Sequence, residues 1–340
     1  MRFGLFLSCQ HPIGSDMTRR LDEHLEQTRL AGTSGFSAVF YGEHFLMPPF
    51  QMLHETTFLA RIAAESGDMQ VGTGILLTAL HNPVESADMA ATLDVITKGR
   101  FIFGVGLGYR RVEFDAFDVP KEKAPAVFEE RLAIIKRLWT GERIDHDGHG
   151  FKLRGATCTL RPVQTPHPPI WIAANNHAAV ERAARLGDAW FINPHAKMAV
   201  IEEQWMLYKD TLRKAGKPLP KVLPLLKELY VDETQARAEA TARPYLEAKY
   251  KAYVQWGQDK ALPKSDALDL PFDQLTQDRF VIGDPDTVIR GLERYVTALG
   301  VNFLCFRLQW PGMPHELAAK GITLVGKHVI PYFRQKYGAD

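Results

Sequence analysis

A (β/α)₈ barrel of the α/β class, in one domain over residues 1–340, is the architecture this sequence predicts, on three observations. Short apolar strand patterns alternate with helical patterns along the whole chain. Eight such strands can be counted, each but the last followed by a helical pattern or a long connection. The doubly wound sheet, the alternative fold, would place a G-x-G-x-x-G turn after its first strand, and residues 8–14 lack one. No internal repeat or low-complexity linker divides the chain.

In chain order, residues 2–8 read as the first strand and 17–30 as a helix, with Leu21 and Leu25 on one face, Ser15 or Asp16 near its cap, and Gly32 and Gly35 at its end. Residues 36–41 form the second strand, leading into Gly42-Glu43-His44, and 55–66 are helical; 71–78 are the third strand. Asn82 is a natural cap, and Pro83 suits the first helical position because its missing N–H is an unpaired donor there anyway. Gly99 supplies the left-handed stop. Phe101-Ile102-Phe103, the fourth strand, is apolar on both faces, as a parallel strand buried under helices is. It ends in Gly104, Gly106 and Gly108, where either a planar ligand approaches the backbone or a tight exit turn forms. Phe128, Leu132, Ile135 and Trp139 keep helical spacing, and 140–167 form an excursion. Residues 169–174 are the fifth strand, followed by Asn175-Asn176-His177 and a helix over 178–186. The sixth strand is 189–193, with a helix over 199–215; the seventh is 223–231, with a helix over 234–257. The polar, Pro-containing stretch 258–277 reads as a mobile insertion and the best lid candidate. Asp284-Pro285 opens a helix carrying Val288, Leu292, Tyr295 and Val296, stopped by Gly300, and 303–309 are the eighth strand.

Composition narrows the function. Apolar residues are 46% and charged residues 24% of the chain, ordinary for a globular protein. A net charge of +1 with scattered Lys and Arg lacks the basic footprint of a nucleic-acid binder, which leaves a small-molecule substrate. Cys9, Cys158 and Cys305 are an odd, widely spaced set with no C-x-x-C pair, so they read as reduced thiols of a cytoplasmic protein. The apolar run after Arg2 is too short for a signal peptide, and no run approaches the roughly twenty apolar residues of a membrane span.

Several separated motifs occur in one order: FGLFLS near the start, YGEHF after the second strand, LHNP…TKGRFIFGVGLGYRRVEF through the fourth, PPIWIAANNHAAVERAARLGDAW across the fifth and sixth, and VIGDPDTVIRGLERY before the eighth. Over nearly the whole chain this resembles the bacterial luciferase-like flavin monooxygenase family. The resemblance implies a barrel with a flavin at the C-terminal mouth of the strands, where barrel active sites lie. It implies a two-component monooxygenase in which reduced FMN, delivered by a separate NAD(P)H-dependent flavin reductase, reacts with O₂ to oxygenate a small organic substrate, and it implies a homodimer. A hydride-transfer oxidoreductase using deazaflavin F420 and a non-catalytic flavin-binding protein are the alternatives on the same fold. A metal-dependent hydrolase is disfavoured, because Glu43-His44 lacks a matching H-x-H or carboxylate cluster at other strand ends.

His44 matches the family's catalytic histidine, and an imidazole exchanges protons near neutral pH. Glu43 either orients His44, contacts the flavin or pairs with an Arg. Where a second family histidine is common, this chain has Phe45. Gly74-Ile75 matches an unusual cis non-proline peptide supporting the flavin ring. Gly106 stands where luciferases carry a reactive cysteine, and there it would widen the ring pocket. Asn175, Asn176 and His177 precede a helix whose free N–H groups and positive end suit the flavin phosphate. Luciferases favour hydroxyl residues and an Arg near that seat; here stand Asn176, Ala179 and Leu107, with Arg110 or Arg111 as the candidate replacement. Glu228 and Tyr230 alternate on the seventh strand, and Arg307 and Gln309 on the eighth, so all four are candidates for the substrate pocket.

Overall fold

Eight parallel strands close on themselves in this computed structural model, which describes residues 1–339 apart from the side chain of Lys264. They are β1 (Arg2–Phe6), β2 (Ala38–Tyr41), β3 (Gln70–Thr73), β4 (Phe101–Gly106), β5 (Ile170–Ala174), β6 (Ala189–Ile192), β7 (Pro224–Val231) and β8 (Phe303–Arg307). Each pairs in parallel with its chain neighbours, β8 returns to β1, and β4 meets β5 with Phe103 opposite Ile170, so no edge is left open. The predicted barrel and its single domain are therefore observed.

Helices α1 (Met17–Thr33), α2 (Glu55–Ala63) and α3 (Pro83–Ile96) follow the first three strands, and α4 (Arg111–Ala116) and α5 (Ala124–Trp139) follow the fourth. The Asp16 side chain caps α1, taking the N–H groups of Thr18 and Arg19, and Asn82 caps α3 through Val84 N–H with Pro83 in the first turn. Then come α6 (His177–Leu186), α7 (Met198–Lys214), α8 (Gln235–Gln255), α9 (Phe272–Thr276), α10 (Pro285–Leu299), α11 (His315–Leu324) and α12 (Ile330–Tyr337). Gly300 ends α10 in the left-handed conformation (φ 76°) that a residue without Cβ adopts at no cost.

Four expectations change. The third strand stops at Thr73, and Leu76–Leu77 forms a separate short strand beside Val105 and Gly106, with the cis Gly74–Ile75 peptide between them. The excursion holds an antiparallel hairpin, Ile144–Gly148 with Phe151–Ala156. The chain after the eighth strand, unassigned from sequence, supplies α11 and α12. The insertion 258–277 contains short helical turns and α9, and it is tied down from beneath: Leu262, Leu268 and Leu275 are buried, and the buried Arg279 guanidinium bonds Asp266 Oδ1 (2.5 Å), Leu275 O (2.9 Å) and His195 O (2.5 Å).

Side chains alternate sides along a strand, and the inward side of this barrel is divided. Phe40, Trp171, Phe191 and Phe303 pack together, with Phe40 stacked on Trp171 (5.5 Å between centroids) and Trp171 edge-on to Phe303 (5.0 Å). Glycines make room: a Cβ at Gly72 would lie 2.4 Å from the Phe40 ring, and one at Gly104 would lie 1.9 Å from the Thr73 carbonyl oxygen. Backbone cannot swing aside as a side chain can. Gly104→Ala is therefore expected to destabilise by about 1–3 kcal/mol or to prevent folding. Gly32→Ala, inside α1 with only Met69 Cε in ordinary contact at 3.6 Å, is expected to be neutral or to stabilise by up to about 0.5 kcal/mol. Urea unfolding of both variants checks the pair; equal effects would contradict it.

Candidate active site

A deep cavity opens at the C-terminal ends of the barrel strands, its walls built by the residues that follow β1, β2, β3, β4, β5, β6 and β8, with β7 and α8 completing them. It encloses about 1230 Å³ of non-protein space, open solvent at its mouth included. His44, Glu43, Gly74, Ile75, Asn175, Asn176, Arg307 and Gln309 all line it.

His44 is half-buried and held by a partner that sequence reading did not name. Its Nδ1 lies 2.9 Å from Glu113 Oε1, which also accepts the Phe45 N–H (2.9 Å) and Arg110 Nη1 (3.0 Å). Burial alone would raise the Glu113 carboxyl, but the His44 hydrogen bond and charge, the Phe45 N–H and Arg110 hold it below its ordinary value. An ionised carboxylate only accepts, so Nδ1 carries the proton it donates, and in the neutral ring Nε2 is left as the proton acceptor. Arg110 is fixed by the carbonyls of Phe45 (2.5 Å) and Leu46 (2.8 Å), and its guanidinium lies 4.5 Å over the Trp256 ring, itself 5.9 Å from His44.

Beside His44, Glu43 Oε2 accepts Leu77 N–H (2.9 Å) and His81 Nε2 (2.8 Å), so this carboxylate spans to the chain after the cis peptide rather than to an arginine or to His44. Its Oε1 is buried with no hydrogen-bond partner. Behind it, burial and the charge of Glu43 push the Glu55 carboxyl well above its usual range, against the Gly74 N–H that it accepts at 3.2 Å. Gly42 and Gly74 face each other: a Cβ on Gly42 would lie 2.7 Å from Gly74 O, and one on Gly74 would lie 2.6 Å from the Phe6 ring. Gly106 lies outside the cavity, because the Ile75 side chain fills its place, with Cδ1 1.8 Å from where a Cβ would stand.

At the far wall, Asn176 caps α6, its Oδ1 taking the Ala179 N–H (3.1 Å), and Asn175 O accepts Gln204 Nε2 (3.1 Å). His177 is exposed, does not line the cavity and pairs with Glu203 (3.0 Å). Neither proposed replacement arginine serves this seat: Arg110 is committed to Glu113, and Arg111 pairs with Asp115 (2.9 Å) and Glu122 (3.0 Å).

On the side of β7 and β8, fully buried Glu228 accepts Lys249 Nζ (2.5 Å) and Arg307 Nη1 (2.8 Å) on Oε1, and Trp310 Nε1 (2.6 Å) on Oε2. Although burial opposes it, the charges of Lys249 and Arg307 bring the Glu228 carboxyl down to about 2. Burial and Arg307 bring Lys249 down to about 7 against the pull of Glu228. Lys249 and Tyr253, both on α8, line the cavity and were missed, since nothing in a helical pattern marks which turn reaches a strand end. Glu228 and Tyr230 part company: β7 pairs with β8 as far as Glu228, then Leu229–Val231 pair with Val281–Gly283. Tyr230 consequently leaves the barrel and is buried among Ala238, Ala242 and Leu246. The Gln309 amide is spent within the protein, on Gln27 (3.1 Å) and Met313 O (3.1 Å).

A closed parallel barrel with a strand-end cavity of this mixed polar and apolar lining defines an α/β-barrel protein with a small-molecule site. More particularly, the chain belongs to the luciferase-like monooxygenase family, whose profile matches residues 1–302. It is 26% identical to the oxygenase component of the flavin-dependent trigonelline monooxygenase of Acinetobacter baylyi, covering 98% of this chain and 96% of that protein. It is 28% identical to an F420-dependent glucose-6-phosphate dehydrogenase of Microbacterium testaceum, covering 93% and 94%. The crystal structure of monooxygenase RslO1 from Streptomyces bottropensis superposes with a TM-score of 0.85 at 25% identity, covering 98% of this chain and all of that one. All three are oxidoreductases by name; the Acinetobacter protein is named as flavin-dependent and the Microbacterium protein as F420-dependent. Among the described residues no helix is long and apolar enough to cross a membrane, and no group of three or more His, Cys, Asp or Glu is placed to hold a metal ion.

The Glu228 cluster sets an acid limit. A carboxyl whose folded value, about 2, lies below its ordinary 4.5 contributes stability that is full above the ordinary value and is lost as pH falls from there through the folded value. Glu228→Gln should flatten that stretch of the stability–pH curve and, by leaving Lys249 and Arg307 beside a neutral amide, cost about 3–5 kcal/mol at neutral pH. Urea titrations across acid pH read both; an unchanged slope would remove Glu228 as the cause.

Proposed function

We propose that this protein is the oxygenase component of a two-component flavin-dependent monooxygenase, using reduced FMN and O₂ to oxygenate a small organic substrate. One observation carries the reading: His44, oriented by Glu113, stands beside a cradle in which Gly42 and Gly74, joined to Ile75 by a cis peptide, offer bare backbone, and whose neighbouring carboxylate Glu43 keeps an unpartnered buried oxygen. The cradle fits a flavin. A flat heterocycle with ring N–H donors can meet Glu43 Oε1, and its carbonyls can meet Asn193 Nδ2, a buried donor of the wall that also lacks a partner. Asn175, Asn176 and the first turn of α6 offer polar and backbone groups, without a basic side chain, to a phosphate.

When bound, the reduced flavin supplies the electrons that activate O₂. The protein's own residues do the rest. Phe6, Leu107 and Phe191 supply apolar wall, Gln258 and Ala261 bring the insertion onto the cavity, and together they exclude water. His44 Nε2 takes or returns a proton while Glu113 steadies the ring through Nδ1. The reading further includes a separate NAD(P)H-dependent flavin reductase as partner, a homodimer and a cytoplasmic location.

F420-dependent hydride transfer is the second reading, favoured by relatives of similar identity that are named for that cofactor. Titration with reduced FMN and reduced F420, followed by an oxygen electrode, separates the two: tight F420 binding without oxygen use would replace the monooxygenase. FMN binding with no substrate-dependent oxygen use would leave a flavin-binding protein. His44→Ala is expected to retain FMN binding and lose product formation by roughly 10²–10⁴-fold; unchanged turnover would remove His44 from the chemistry.

A further inference from the structure

We propose that Arg307 and Lys249, which line the floor of the cavity and are held there by Glu228 buried behind them, seat the carboxylate of a small, singly charged organic substrate. The proposal rests on the function above only in calling that ligand the substrate.

The first argument is a surplus of donors. Glu228 is the carboxylate that Arg307 and Lys249 both bond, and its two oxygens are already filled by Lys249, Arg307, Trp310 and, at 3.5 Å, the Tyr250 hydroxyl. Among the described residues the Arg307 guanidinium makes one hydrogen bond, to Glu228, of the five its N–H groups allow, and the Lys249 ammonium makes one of three. Both side chains line the cavity. The neighbouring amides do not absorb the surplus, since Gln10 is tied to the Tyr253 hydroxyl (3.0 Å) and Gln309 to Gln27 and Met313. What remains free is a planar fork and a point cation side by side, and the fork matches a carboxylate in two parallel bonds.

Charge sets the valence. With Lys249 protonated, Arg307, Lys249 and Glu228 together carry +1, and burial and the Arg307 charge beside it disfavour the charged lysine. One anionic charge balances the floor, whereas a phosphate dianion would over-neutralise it. Aromatic surface surrounds the fork: the guanidinium lies 4.3 Å over the Phe6 ring, and Lys249 lies 5.1 Å from the Tyr253 ring. The body of the ligand is thereby apolar or aromatic. Phe6 is also the ring that a Gly74 side chain would strike, so one ring separates the carboxylate seat from the proposed flavin cradle. The substrate's acid end would thus be held while its other end reaches the reacting face.

The test is equilibrium binding to the full-length protein in a buffer free of carboxylates at constant ionic strength, read by calorimetry. The probes are benzoate, its neutral isostere benzamide, and benzenesulfonate. Benzoate is expected to bind roughly tenfold or more tightly than benzamide, and Arg307→Met to abolish that preference, with Arg307→Lys retaining part of it. Equal affinity for benzoate and benzamide, or no saturation by either at millimolar concentration, overturns the proposal, as does tighter binding of benzenesulfonate than of benzoate. Competition between benzoate and FMN overturns it too, because the floor would then be taking the cofactor's phosphate. The wild-type ratio decides the matter even if Arg307→Met fails to fold. FMN binding measured on the same sample keeps the readings apart: loss of the benzoate preference with FMN still bound removes the carboxylate seat alone, and absence of FMN binding removes the proposed function alone.

Discussion

The inside of a closed parallel barrel has to be filled by its own strands, and in this chain the filling is shared unequally. Inward positions on β1 to β4 fall repeatedly on glycine, at Gly4, Gly72, Gly74, Gly104 and Gly106, while Trp171, Phe191 and Phe303 on the other half cross to meet Phe40. The rings pack together across the lower barrel. Because the bulk comes from one side, the glycine side can bring backbone up to backbone, as at Gly104 and Thr73 O, and then open at Gly42 and Gly74 into a smooth wall. The plug and the cradle are two ends of one arrangement.

Charge is divided across the mouth in the same way. Glu43, Glu55 and Glu113 gather on the side of β2 to β4, and Lys249 and Arg307 stand on the side of β7 and β8. Three carboxyls cannot all stay charged in a dry wall, and each is resolved differently. Glu113 is offset by Arg110 and His44, Glu43 by the Leu77 N–H and His81, and the Glu55 carboxyl is pushed well above its usual range by burial and by Glu43. That order leaves the His44 ring with a fixed acceptor on one nitrogen and the cavity on its other side.

Much of this was legible in the chain because strand and helix periods are local properties. The alternation of patterns gave eight strands close to their observed limits except the third, which was read as running to Thr78 and stops at Thr73, and Asn82-Pro83 and Gly300 marked ends that their cap geometry explains. Site residues at strand ends were legible for the same reason, since His44, Asn175 and Arg307 follow from counting to the end of a strand. Residues that reach the cavity, or a residue lining it, from elsewhere were not. Glu113 lies in a six-residue helix with no periodic signal, and Lys249 and Tyr253 sit in a long helix whose charged and aromatic residues look like those of any solvated face. Tyr230 was misplaced because alternation holds only while a strand keeps its partner, and β7 changes partner after Glu228.

That change of partner shapes the site more than any single side chain. β7 and β8 stay paired as far as Glu228 and Arg307; beyond them Leu229–Val231 turn to Val281–Gly283, and α8 brings Lys249 and Tyr250 against Glu228. The cavity therefore has walls of two kinds. On the β2 and β3 side, ladder hydrogen bonds and backbone contacts at Gly42 and Gly74 fix the shape, so change there strains the barrel itself. On the β7 and β8 side, one helix and the insertion after it form the wall, anchored through side chains such as Arg279 and Asp266. Substitutions on that helix can reshape the pocket while the ladder stays intact. A constant reagent suits the first wall and a variable one suits the second, which is why the proposed flavin is assigned to the glycine side and the proposed substrate to the helix side.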